Sequence, residues 1–156
     1  MRQIPILIVC FLMVTLAACG GEKDTSLPPT ATAAPTVSPV LVHLQRDYEL
    51  LHTSHEAISN IWESLAANNQ VQCGDYPTVI PTEGISAQDD PAFEALADHL
   101  RRAAIGLNQA LDLWKSECAN PRATIPPDVI NEGRLAARAA GDALAEAQTL
   151  LSDIQP

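Results

Sequence analysis

The chain has 156 residues, with nine basic and nineteen acidic side chains for a net charge of −10, 47 % hydrophobic residues and 4 % aromatic ones. That balance excludes nucleic acid as a partner and sets the folded surface against anionic lipid. Once the N-terminal segments are set aside, about 115 residues are left, enough for one hydrophobic core and too few for two.

Arg2 precedes an uncharged apolar run, Ile4 to Leu16, that closes in Ala17, Ala18 and Cys19. A basic start, a short apolar stretch and small residues before a cut are the marks of an export signal. Roughly fifteen apolar residues fall short of the ~20 that a spanning helix needs. The residues that follow, Gly20, Gly21, Glu22 and Lys23, are not a basic stop-transfer flank. Leu16, Ala17, Ala18 and Cys19 resemble the lipobox of bacterial lipoproteins. The resemblance covers residues 1–19 and implies cleavage after Ala18, a diacylglyceryl group on the Cys19 thiol, and a further acyl chain such as palmitate on the new amino terminus. It also implies an extracytoplasmic protein, held by lipid on a membrane of a bacterial cell envelope. Each buried methylene contributes ~0.8 kcal/mol, so two or three chains make a durable anchor. The alternative is an ordinary secretory cut near Ala18 that leaves a free protein. Loss of Arg2 with the leader takes the net charge to −11.

Residues 1–18 are therefore read as the signal peptide and residues 19–38 as the lipidated cysteine and a tether. Pro28, Pro29 and Pro35 lie there among Thr, Ala and Ser, with little to bury. Such a segment is expected to be disordered, with a reach of about 25 Å. Residues 39–156 are the folded domain.

Within that domain Leu41, Leu44, Tyr48, Leu51, His55, Ile58, Trp62 and Leu65 alternate steps of three and four, which predicts a helix over about 39–69. Ser38 and Pro39 open it; Asn68, Asn69 and Gly74 are its stop signals. A second stripe, Phe93, Leu96, Ala97, Leu100, Ala104, Leu107, Leu111, Trp114 and Cys118, predicts a helix over 91–119, opened by Asp90 and Pro91 and closed by Asn120 and Pro121. A third, over 127–154, follows Pro126 and Pro127 and turns Ile130, Ala137, Ala140, Leu144, Ala147, Leu151 and Ile154 inward. Its alanines predict close approach of backbones. The fold class is thus all-α, a three-helix bundle.

Export makes the two cysteines left after processing, Cys73 and Cys118, candidates for a disulfide; free thiols or an intermolecular bridge are the alternatives. The pairing has a topological consequence. Cys73 lies just past the first helix and Cys118 at the end of the second. Helices of this length are ~40 to 45 Å long, whereas bonded cysteines need α-carbons within ~7 Å. A bond therefore demands an up-up-down order in which residues 74–90 return along the bundle, pinned by Val79, Ile80 and Ile85. Without it the simple up-down-up order stands.

Chemistry-bearing patterns are thin. Glu49, His52, His55 and Glu56 approach the Glu-x-x-His spacing of di-iron bundles, but no second such pair follows, since Leu96 stands three residues before His99. Ser54, Ser59, Ser64 and Ser116 lie in helical segments outside any nucleophile elbow. Glu94 and Asp98 read as a solvated acidic face, and Arg138 with Asp142 as a surface pair. The expected function is non-catalytic: a lipid-anchored binding or adaptor module contacting an envelope protein or peptide, with no cofactor. The alternative is a metal- or small-ligand-binding lipoprotein using Glu49, His52 and His55.

Overall fold

Local sequence signals set the ends of each helix. In the computed structural model, which describes residues 38–154, α1 spans Pro39–Ala66, α2 Glu94–Ala119 and α3 Pro127–Ile154. They form an all-α three-helix bundle; Cys19 and the tether lie outside the described residues. Pro39 fills the first position of α1, where a missing N–H costs nothing. The helix stops three residues earlier than the periodicity predicts. Asn68 adopts a left-handed φ of 58°, and the amides of Asn68 and Asn69 turn back to the carbonyls of Leu65 and Ser64. This Schellman closure satisfies carbonyls the helix would otherwise leave open. At the start of α2, Asp90 accepts a hydrogen bond from the Ala92 amide at 3.0 Å, and Pro91–Phe93 form a 3-10 turn before the α-helix proper. The second helix is thus shorter by a turn than its stripe.

Contacts between helices fix their directions. On α1 and α3, His55 stands against Gly141 while Trp62 stands over Gly133 and Glu63 pairs with Arg134 at 2.9 Å. Rising numbers on α1 meet falling numbers on α3, so the two are antiparallel. On α2 and α3, His99 reaches Glu146 at 2.6 Å, and Gly106 packs on Ala136 and Ala140, again antiparallel. Consequently α1 and α2 run the same way, and Trp62 and Trp114 meet edge to face with ring centroids 6.5 Å apart.

Cys73 and Cys118 are bonded, with α-carbons 5.6 Å apart. From Cys73 the chain returns along the bundle. Ser54 in mid-α1 donates to the Thr78 carbonyl at 2.7 Å, and Arg101 near the start of α2 donates to the Ile85 carbonyl at 3.2 Å. Ile85 and Ala87 are buried, whereas Val79 and Ile80 are only partly covered. A 3-10 turn at Thr82–Gly84 interrupts the extended path.

The core joins the three apolar stripes, with Leu44, Leu51, Leu96, Leu100, Leu107, Ala140 and Ala147 wholly enclosed. On α3, Gly133, Ala136, Ala137, Ala140, Ala143 and Ala147 form the inner face, and α2 answers with Ala103, Gly106 and Ala110. Small side chains let the backbones approach: a Cβ on Gly106 would stand 2.9 Å from the Ala136 carbonyl oxygen. Asp47 and Ser54 lie deeper on α1 than Tyr48 and His55, which the stripe places inside. Ser54 is satisfied by the carbonyls of Leu50 and Thr78, but one Asp47 carboxylate oxygen is enclosed without a partner. Burial pushes the Asp47 carboxyl above its ordinary range, partly offset by His43 and Arg46.

On the surface, Glu94 and Asp98 both hold Arg101. Arg138 and Asp142 do not pair among the described residues; the arginine that bridges helices there is Arg134.

Two stability changes follow. Replacing Cys73 and Cys118 together by Ser removes a cross-link between residues 45 apart in sequence, a loss of about 4 kcal/mol on the loop-entropy model. Urea unfolding of oxidised, reduced and double-Ser protein measures it, and coincident midpoints would refute it. At Gly133 an added methyl would stand 2.2 Å from the Trp62 ring, so the overpacking cost of about 1 to 3 kcal/mol outweighs the ~1 kcal/mol gained in helix propensity. Gly133→Ala therefore lowers the melting temperature, and a rise would show that Trp62 has room to move.

Candidate functional site

Glu49, His52 and His55 do not converge on one point. Glu49 and His52 are exposed on α1; His52 lies beside the Tyr48 ring, 5.8 Å between centroids, and 3.9 Å from Glu56. His55 turns instead toward α3. Its Nε2 lies 3.1 Å from the Ser59 hydroxyl and 2.7 Å from where a Gly141 side chain would begin. Among the described residues no three His, Cys, Asp or Glu side chains gather as a metal-binding group. His55 is a spacer between helices: the absence of a side chain at Gly141 makes room for an imidazole on the inner stripe.

This placement shifts its titration. Partial burial and the neighbouring His52 lower the His55 pKa from about 6.5, against the raising effects of the Ala137 carbonyl and Glu56. Burial is the largest of these. Because the folded protein binds this proton less readily than the unfolded chain, the His55 contribution to stability is complete above about pH 6.5 and is lost as pH falls from there through the folded pKa. The fall in melting temperature between pH 7 and pH 5 should therefore be smaller in His55→Gln than in the parent; equal falls would rule His55 out as a source.

Larger concave surfaces among the described residues lie elsewhere. Beside the crossover, Leu50, Ala57, Tyr76, Pro77, Thr78 and Ile80 line a groove of about 580 Å³. Leu50 and Tyr76 are exposed there, and Lys115 lies 6.0 Å from the Tyr76 ring centroid.

At the disulfide end of the bundle is a cavity of about 470 Å³. Leu65 of α1, Trp114 and Glu117 of α2 and Ile130 of α3 form its walls, and the segments 68–73 and 121–125 border its open side. The architecture builds this space. The Schellman turn ends α1 early, the Cys73–Cys118 bond holds the descending segment at the end of α2, and Pro121 carries the chain away before α3 begins. Val71 and Ile125 pack partly against the core from the two segments.

The cavity contains a charge that the apolar stripes do not announce. The Glu117 side chain is 6 % exposed. One of its oxygens accepts a hydrogen bond from Arg122, whose side chain is 51 % exposed, and the other is enclosed without a partner. Of the residues lining the cavity only Glu117 and Arg122 carry charge. Buried carboxylates are expensive unless fully hydrogen-bonded, so a half-satisfied one needs a specific reason. Periodicity does point at position 117, which lies three residues past Trp114 on the same face; the residue type alone reads as a solvated helix end.

Comparison of the chain with protein-family models, with curated proteins and with solved structures finds no match. No helix among the described residues is long and apolar enough to cross a membrane.

Proposed function

We propose that this protein is a lipid-anchored, extracytoplasmic binding module of a bacterial cell envelope. The observation that carries the reading is the Leu16-Ala17-Ala18-Cys19 motif at the end of a short uncharged apolar run. Lipid on Cys19 is the attachment, and the Pro/Thr/Ser-rich segment after it separates the anchor from the bundle. The acidic balance of the chain, nineteen acidic to nine basic residues, favours a domain that stands off anionic headgroups. The bonded Cys73 and Cys118 agree with an oxidising compartment. Among the described residues, the crossover groove and the cavity at the disulfide end are concave surfaces of a size to receive a peptide, a partner protein or a small ligand.

The test is chemical. In bacteria expressing the full chain and fed a clickable palmitate analogue, the protein should take up label, start at Cys19 after processing, and partition with membranes. Cys19→Ser should lose label and appear in the soluble fraction. An unlabelled parent protein, or a mature N-terminus other than Cys19, would overturn the reading.

A further inference from the structure

We infer that the cavity at the disulfide end is a binding site for a small organic cation, a protonated amine carried on an apolar body, with Glu117 as its counter-ion. The inference deepens the binding-module reading and rests on it for the premise that the protein holds a ligand. Three features of the cavity define the ligand.

The first is the unmatched half of Glu117. With one oxygen paired to Arg122 and the other enclosed without a donor, the carboxylate has acceptor capacity to spare, which an ammonium group in the place of Arg122 uses. A neutral hydroxyl supplies one donor and no charge, and an anion is repelled.

The second is the character of the walls. Leu65, Val71, Trp114, Ile125 and Ile130 give the site an apolar and aromatic side that suits a hydrocarbon body, next to the side-chain amides of Asn68, Asn69, Gln70 and Gln72. At about 470 Å³ the space lies within the range of small-ligand sites.

The third is the position of Arg122. Its guanidinium comes from the irregular connection between α2 and α3, is half exposed, and covers Glu117 from the solvent side. It stands where a ligand's cationic head would stand. A bound amine takes over the Glu117 pair, and Arg122, already half in water, moves out at little cost in desolvation. The charge of the site is then the same before and after exchange, one carboxylate with one cation, and no unpaired charge is left in the cavity. The net charge of −10 on the chain draws cations toward the protein.

The experiment uses the full-length chain in a nonionic detergent, titrated calorimetrically against protein-free detergent as the blank. The probes are phenethylammonium, its neutral counterpart 2-phenylethanol, and the anion 3-phenylpropionate. The cation is expected to bind at least tenfold more tightly than either of the others, on the unaltered protein and with no variant needed. Glu117→Gln keeps the shape and removes the charge; it should abolish that preference. Arg122→Ala removes the internal competitor and should tighten cation binding several-fold. Equal binding of cation and neutral probe, no binding of the cation, an unchanged preference in Glu117→Gln, or weaker cation binding in Arg122→Ala would each overturn the proposal. The last would show that Arg122 and Glu117 are a pair that holds the connection closed. Palmitate labelling of Cys19 is unaffected by any of these results, so failure here and failure of the lipoprotein reading are separable.

Discussion

The bond between Cys73 and Cys118 is the constraint on which the arrangement of the bundle depends. It joins the segment after α1 to the last turn of α2, with α-carbons 5.6 Å apart, and so requires both helices to end on the same side. A hairpin connection would put those residues a helix length apart. The chain must therefore travel the whole length of the bundle between α1 and α2, and the crossover is held along its path by Ser54 to Thr78 and Arg101 to Ile85. Long irregular segments are uncommon in small domains unless they are held or used. This one is held at each stage, and its buried residues, Ile85 and Ala87, extend the core that the helices begin.

With two helices parallel, α3 alone runs the other way and must pack against both. Its inner face is built for that task. Glycine and alanine at 133, 136, 137, 140, 143 and 147 let α3 approach closely, and large residues from the partners fill the space: Trp62 over Gly133, His55 over Gly141. The bundle thus sets bulky groups on α1 against gaps on α3, which gives dispersion contacts that an all-leucine seam would have to find by repacking. Trp62 is central to this arrangement, since it touches α3 on one side and Trp114 of α2 on another.

The same end of the bundle carries the cavity, and the connection is geometric. The cross-link, the early stop of α1 at Asn68 and the departure of the chain at Pro121 each remove a helix wall at one level, leaving two irregular segments to cover Trp114 and Glu117. A carboxylate in that position is half paired and mostly shielded from water. Burial of Asp47 further along α1 is a separate case: it too has an oxygen without a partner, but it lines none of the concave surfaces described above.

Much of this is legible in the amino-acid sequence. The three stripes, the prolines at 39, 91 and 127 and the asparagines at 68 and 120 mark the helices to within about a turn, because capping and amphipathic periodicity are local properties of a few adjacent residues. The alanines of α3 announce close packing, and the lipobox-like motif on which the proposed function rests lies outside the described fold. The remainder depended on which helix faces which. Periodicity assigns His55 to an inner face, but Gly141, eighty-six positions later, gives the imidazole its place and takes it away from Glu49 and His52. It assigns position 117 to the core side without saying that Arg122 will fold back over a glutamate there. Neighbourhoods of that kind arise when distant segments meet, and a one-dimensional pattern carries the direction of a side chain but not the identity of what covers it.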